Sequence, residues 1–147
     1  MAAAQPAEEN ENAHPKLYAL IAEDNPVNRR VLEIMMKRMG HAYEVVENGL
    51  EALEKLKAKA FEVVLMDVHM PAMDGLEATR RIREGYCGDD KKDIYIAAVT
   101  ALAMSGDREK CLESGMNAYL PKPVKFTELE RIFVEEIYPS CSSEGSG

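Results

Sequence analysis

Residues 63–75 read VVLMDVHMPAMDG, a short apolar run that ends in a single carboxylate, Asp67. Four consecutive apolar residues, two of them β-branched, are typical of a strand that is buried on both faces of a sheet. The polar, proline-containing residues after Asp67 indicate a loop, and Asp74-Gly75 marks the start of a helix. The sequence therefore predicts a strand, a loop and a helix that runs from about Asp74 to Glu84.

Three further apolar runs end in the same way, each at polar residues of a different chemical kind. They are Leu17–Ala22 before Glu23-Asp24, Ile94–Val99 before Thr100, and Ala118–Pro121 before Lys122. In an open sheet of parallel strands the carboxyl ends lie at one edge, and ligands bind at that edge. Three carboxylates, a hydroxyl and an ammonium are therefore expected to meet in one crevice.

Helical patterns alternate with these strands. Asn25-Pro26 is a cap followed by proline at the first helical position, and Gly40 ends the helix. The remaining predictions are a strand at 42–46, a helix from Asn48-Gly49 that carries Ala52, Leu53, Leu56 and Ala60, a helix over 104–114 closed by Gly115, and a last helix with Leu129, Ile132, Phe133 and Ile137. Five β-then-α units predict an α/β fold, a doubly wound parallel sheet with helices on both faces.

Length and composition indicate one domain at residues 16–138, between tails at 1–15 and 139–147 that are expected to be disordered. The chain has 147 residues and a net charge of -8, and no cluster of basic residues. These features argue against direct nucleic-acid binding. Three cysteines without a Cys-x-x-Cys spacing indicate neither disulfides nor a zinc site, and no signal peptide or membrane span is evident. We therefore expect a cytoplasmic location and no membrane contact by this segment.

The residue types at the four strand ends suit phosphoryl transfer. A carboxylate such as Asp67 can accept a phosphoryl group covalently, but cations and donors must offset the negative charge of both partners. Mg²⁺ prefers oxygen ligands, which Glu23, Asp24, Asp67 and a backbone carbonyl just after Asp67 can supply. Lys122 then provides a positive charge to a phosphoryl oxygen, and Thr100 provides a hydroxyl donor.

The chain resembles the receiver domain of two-component response regulators over nearly all of residues 17–138. The motifs that carry the resemblance are Ala22-Glu23-Asp24-Asn25, the stretch 65–75, Val99-Thr100-Ala101 and Lys122-Pro123. The sequences around these motifs are similar to those of receivers in hybrid histidine kinases. They are Asn25-Pro-Val-Asn28, Gly75-Leu-Glu-Ala-Thr79 and Thr100-Ala-Leu-Ala-Met104.

The resemblance implies a flavodoxin-like fold with five strands in the order 2-1-3-4-5 and five helices. It also implies Asp67 as phosphoacceptor, Glu23 and Asp24 as the acidic pair, and Mg²⁺ bound by these three carboxylates with the His69 carbonyl. Thr100 and Tyr119 would be the switch residues, and Lys122 the phosphate-binding lysine. The implied partner is a histidine kinase or a histidine phosphotransfer protein, and the domain would catalyse only its own phosphorylation and dephosphorylation.

Two alternatives remain open from the sequence. A haloacid-dehalogenase-like phosphatase also uses an aspartyl nucleophile and Mg²⁺, but it requires a second Asp two residues after the nucleophile, where this chain has His69. A pseudo-receiver would only bind partners, and it would normally have lost an acid or the lysine. Both are retained here in Glu23, Asp24 and Lys122.

Overall fold

The structure is a computed structural model that describes residues 15–101 and 106–140. Most of the two predicted tails, residues 1–14 and 141–147, lies outside the described residues, as do residues 104 and 105 of the predicted fourth helix. Five strands form one parallel sheet with the order β2-β1-β3-β4-β5. The strands are β1 (Tyr18–Ala22), β2 (Ala42–Val46), β3 (Val63–Asp67), β4 (Tyr95–Thr100) and β5 (Ala118–Pro121). The predicted fold class and strand order are confirmed.

Five helices connect and follow the strands. They are α1 (Pro26–Met39), α2 (Gly49–Ala58), α3 (Gly75–Arg83), α4 (Asp107–Ser114) and α5 (Phe126–Ile132), and α5 continues as a π-helical turn over Phe133–Ile137. A short 3₁₀ turn, Asp89–Lys91, precedes β4. Among the described residues, no helix combines the length and the apolar character that a membrane span requires.

The helix boundaries follow local capping chemistry. The Asn25 side chain accepts hydrogen bonds from the backbone N–H groups of Val27 and Asn28, and Gly40 ends α1 in the left-handed conformation with φ of 82°. The prediction that α2 includes Ala60 is wrong, because the helix ends at Ala58 and Lys59 is already extended. Ala60 is exposed, and the chain turns there to bury Phe61 at the approach to β3.

The alternation of side chains along the strands divides the core into two layers. One layer packs α1 and α5 against the sheet, through buried residues such as Leu32, Met36, Leu129 and Phe133. The other layer packs α2, α3 and α4 against the opposite face, through buried residues such as Leu53, Leu56, Ile82 and Cys111. Both faces of the central strands are covered, so the carboxyl edge of the sheet is left as the place for a polar site.

Candidate active site and metal centre

The carboxyl ends of β1, β3, β4 and β5 converge at one edge, as the sequence predicted. β3 lies between β1 and β4, with Ala22 opposite Met66 and Asp67 opposite Val99. This register places Glu23, Asp67 and Thr100 at neighbouring strand ends, and β5 brings Lys122 beside them through the bond from the Lys122 N–H to the Thr100 carbonyl, at 2.8 Å.

Three carboxylates form a cluster in this crevice. One oxygen each of Glu23, Asp24 and Asp67 lies within 4.8 Å of the others. Glu23 and Asp67 are buried, with 0% and 5% of their surface exposed, whereas Asp24 is exposed at the mouth. The cluster therefore has a buried floor and an open side.

Lys122 bridges two of these acids. Its Nζ lies 2.8 Å from Oε1 of Glu23 and 3.2 Å from Oδ2 of Asp67. Burial raises the pKa of Glu23, and the charge of Asp67 adds to this, whereas contacts with Lys122 and the Asn25 amide oppose it. Burial lowers the pKa of Lys122, but the contact with Glu23 and the charge of Asp67 outweigh burial and leave that pKa raised. The lysine is therefore held as a cation between the two acids.

The site has the chemistry of a hard-cation site. Oε1 of Glu23 is buried and, within the described part of the chain, has no hydrogen bond of good geometry, although the Lys122 ammonium lies beside it. A buried carboxylate oxygen with spare acceptor capacity is costly unless a cation or donor satisfies it. Three carboxylate oxygens at short mutual distances match the ligand preference of Mg²⁺, so the residues present fit that ion.

The loop after Asp67 is tightly constrained. The His69 N–H lies 3.4 Å from Oδ1 of Asp67, and the Gly75 N–H donates to the Val68 carbonyl at 2.8 Å. A Cβ at Gly75 would lie 2.2 Å from the Asp67 carbonyl oxygen, so no side chain fits there. Ala72 holds a positive φ of 67° at the tip of the loop. The sequence predicted a loop, but it did not reveal that Gly75 packs directly on the backbone of Asp67.

A cavity lies beside the site at the end of β4. Thr100 is buried at the end of β4 and lines a cavity of about 140 Å³. The other lining residues are Val68, His69, Leu76, Asp107, Lys110 and Cys111. Tyr119 is half-buried on β5, and burial followed by the neighbouring Asp107 and Cys111 raises the pKa of its phenol. Tyr119 packs against the core layer that includes Cys111, which also lines the cavity beside Thr100.

Residues 19–133 match the family model of the response regulator receiver domain. The chain belongs to this family. A probable histidine kinase 1 from Oryza sativa subsp. indica is 34% identical over 152 residues, which cover 84% of this chain and 16% of that protein. The hybrid signal transduction histidine kinase B of Dictyostelium discoideum is 40% identical over 118 residues, 75% of this chain and 6% of that protein. The receiver therefore corresponds to a small part of these relatives.

Two solved receiver structures are similar in fold and sequence. The receiver domain of a Pseudomonas aeruginosa sensor histidine kinase, solved with magnesium in its active-site cleft, is 40% identical with a TM-score of 0.76, over 84% of this chain and 98% of that one. A receiver domain of a Saccharomyces cerevisiae response regulator, crystallised with a histidine phosphotransfer protein, is 31% identical with a TM-score of 0.76. The match covers 85% of this chain and 91% of that chain. Family membership decides against the haloacid-dehalogenase-like alternative.

Proposed function

We propose that this receiver accepts a phosphoryl group on Asp67 from a phosphohistidine donor and changes conformation in response. The observation that carries the proposal is the bridge of Lys122 between Glu23 and Asp67 within the three-carboxylate cluster. A lone buried acid pair would repel an incoming phosphoryl group. The lysine offsets that repulsion at the acceptor itself.

Asp67 is the nucleophile of the proposed reaction. One of its oxygens forms a bond to phosphorus while the phosphorus–nitrogen bond of the donor breaks, and the electron pair of that bond stays on the ring nitrogen, which takes up a proton. The N–H of His69 and the ammonium of Lys122 lie beside different oxygens of Asp67. Whichever oxygen attacks phosphorus, one of these two donors stabilises the charge on the other oxygen. Hydrolysis later returns the carboxylate and releases phosphate.

Mg²⁺ would be held by Glu23, Asp24, Asp67 and the carbonyl of His69, and when bound it supplies positive charge to the transferring phosphoryl group. Asp24, at the open mouth, would reach it from the solvent side. Glu23 lies at the buried floor, where Lys122 is paired with its Oε1 at 2.8 Å. The solved relative with magnesium in its cleft supports this assignment.

The proposed switch joins Thr100 and Tyr119. The Thr100 hydroxyl at the end of β4 can move towards a phosphoryl group on Asp67 and donate a hydrogen bond to it, because β3 and β4 are hydrogen-bonded neighbours. Its movement would free space next to the cavity of about 140 Å³. Tyr119, half-buried against the core layer that includes the cavity residue Cys111, is placed to turn into that space. Such a two-state element would transmit the change to α4 and β5.

The proposed donor is a histidine kinase or a histidine phosphotransfer protein that docks at the rim above Asp67. Val27, in the first turn of α1, has 70% of its surface exposed, and Val31 and Ile34 continue the same helix face with 36% and 53% exposed. Val124 lies half-buried in the loop after Lys122. Val27 follows Asp24 by three residues and Val124 follows Lys122 by two, and exposed apolar residues so near a polar site suit a protein partner more than a small molecule. The co-crystal of the yeast relative with a phosphotransfer protein supports this kind of partner.

The direct test is labelling with a small phosphodonor such as acetyl phosphate in the presence of Mg²⁺. We expect one phosphoryl group per chain on Asp67, and none on Asp67→Asn, because an amide is not a nucleophile for phosphorus. Asp90→Asn is the matched control, since this exposed acid lies before β4 at the other edge of the sheet. An unlabelled wild-type protein that still binds a phosphotransfer partner would instead favour the pseudo-receiver.

A further inference from the structure

Arg29 contacts the backbone of the acidic pair from the first helix. Its Nη1 lies 3.2 Å from the carbonyl oxygen of Glu23 and 3.4 Å from Oε2 of Glu47. The Arg29 side chain is mostly buried, with 21% of its surface exposed, whereas Glu47 is 64% exposed. The contact with the Glu23 carbonyl is thus the sheltered one, and the ion pair with Glu47 is open to solvent.

This contact completes the fixation of Glu23. Its backbone N–H donates to the Val46 carbonyl at 3.0 Å, and its Oε2 accepts from the Asn25 N–H at 3.1 Å. Its carbonyl belongs to the peptide group that continues to Asp24, and Arg29 is the donor to that carbonyl. The plane of this peptide sets the direction in which the exposed Asp24 side chain leaves the backbone.

We propose that Arg29 is a positioning residue of the acidic pair, whose guanidinium fixes the Glu23-Asp24 peptide so that both carboxylates face Asp67. The inference rests on the proposed function only in taking Mg²⁺ as the ion that the pair binds. A guanidinium stays charged at any relevant pH and holds a carbonyl without itself entering the cluster. Groups that orient metal ligands commonly change metal affinity by about 10-fold or more when they are removed.

Charge and positioning predict opposite signs for the loss of Arg29. By charge alone, removing a cation near three carboxylates strengthens Mg²⁺ binding. By positioning, it weakens binding because Asp24 loses its fixed direction. Arg30 separates the two effects, since its side chain is 70% exposed and pairs with Glu33 on the same helix at 3.7 Å. Arg29→Met and Arg30→Met change the net charge equally, but only the first removes the donor to the Glu23 carbonyl.

The experiment measures Mg²⁺ affinity by NMR titration of the full chain. We expect Arg29→Met to raise the dissociation constant about 10-fold, and Arg30→Met to leave it unchanged or slightly lower. Arg29→Lys, which keeps the charge and one donor group, is expected to lie between the two and also serves if Arg29→Met does not fold. In labelling with acetyl phosphate, saturating Mg²⁺ should restore the rate of Arg29→Met, because the defect lies in binding. Equal behaviour of Arg29→Met and Arg30→Met, or tighter binding by Arg29→Met, would overturn the inference.

A metal-free measurement separates this inference from the proposed function. Without Mg²⁺, the Asn25 amide, which donates to Glu23, should exchange with solvent faster in Arg29→Met than in Arg30→Met. If wild-type protein bound no Mg²⁺, the proposed function would fail, and amide exchange would still decide whether Arg29 holds the pair. Unchanged exchange at Asn25 in Arg29→Met and Arg29→Lys would refute the positioning role by itself.

Discussion

Gly75 lies so close to Asp67 that a Cβ at position 75 would be 2.2 Å from the Asp67 carbonyl oxygen and 2.9 Å from Cγ of Met66. The start of α3 is therefore packed directly on the backbone of the proposed phosphoacceptor. The Gly75 N–H also donates to the Val68 carbonyl at 2.8 Å and closes the loop between β3 and α3. The position of the acceptor thus depends on the absence of a side chain eight residues later.

Gly75→Ala is expected to destabilise the fold by more than about 2 kcal/mol, since backbone atoms must move to relieve the collision. The measurement is urea unfolding followed by circular dichroism. Gly40→Ala is the comparison, because φ is 82° there but a Cβ would meet no atom within 4 Å. Its cost should be only about 1 kcal/mol from the left-handed backbone. Equal losses for the two variants would show that collision with Asp67 is not the cause.

Glu44 gives a pH-dependent contribution to stability. Lys55 and Lys59, together with the Tyr18 hydroxyl, hold the pKa of Glu44 at about 2, below its ordinary value of 4.5. Because the pKa is lowered in the folded state, the stabilisation is present above about pH 4.5 and is lost as the pH falls towards 2. Glu44→Gln should therefore cost about 1–2 kcal/mol at pH 7 and much less near pH 2.

The control for Glu44 is Glu54→Gln. Glu54 is 67% exposed and its carboxylate lies 3.9 Å from Lys57, so its loss should change stability by less than about 0.5 kcal/mol at any pH. Thermal melts from pH 2 to 7 measure both variants. A stability difference for Glu44→Gln that stays constant down to pH 2 would contradict the assigned origin of the effect.

Mg²⁺ should bind with modest affinity and be required for phosphorylation, because three clustered carboxylates repel one another without a cation. Titration should move the amide signals of Glu23, Asp24, Asp67 and His69. The amides of Leu17 and His41, at the opposite edge of the sheet, should stay in place. Labelling by acetyl phosphate that proceeds equally well in excess chelator would count against the metal site.

The sequence predicted the strands and most helices because each is encoded locally. Four of the five strands are apolar runs that end at polar residues, and Asn25 and Gly40 mark the limits of α1 by side-chain and backbone chemistry of their own. The predicted end of α2 was wrong because Ala60 suits a helix. The chain leaves the helix after Ala58, before that residue, because Phe61 is buried against the sheet. Periodicity cannot reveal such a tertiary preference.

Contacts between distant residues could not be predicted. His41 accepts a hydrogen bond from the Leu17 N–H through Nδ1 at 3.1 Å, so its proton lies on Nε2, which is 2.7 Å from the Tyr138 hydroxyl. The sequence does not reveal this contact, because Tyr138 follows His41 97 residues later. The contact of Arg29 with the Glu23 carbonyl was missed for another reason. Every residue has a backbone carbonyl, so the residue type at position 23 gives no sign that a side chain will bind its main chain.

The switch can be tested at Thr100. With a phosphoryl mimic and Mg²⁺, amide signals of the described residues 106–120 should shift in wild-type protein, in addition to those around Asp67. Thr100→Ala should still accept a phosphoryl group, because Asp67 and Lys122 are intact, but the shifts at 106–120 should fall to a small fraction. The lost hydroxyl is the group that would draw β4 towards the phosphoryl oxygens.

Thr79→Ala is the matched control, since Thr79 is also a fully buried threonine but lies on α3 and not at the end of a strand. Thr79→Ala should accept the phosphoryl label, and its amide signals at 106–120 should shift as in the wild type. If Thr100→Ala kept the full shifts at 106–120, the coupling would not run through Thr100. If the wild type itself showed changes confined to the pocket around Asp67, the domain would act as a phosphoryl carrier. In that case Tyr119 would keep its half-buried position in both states.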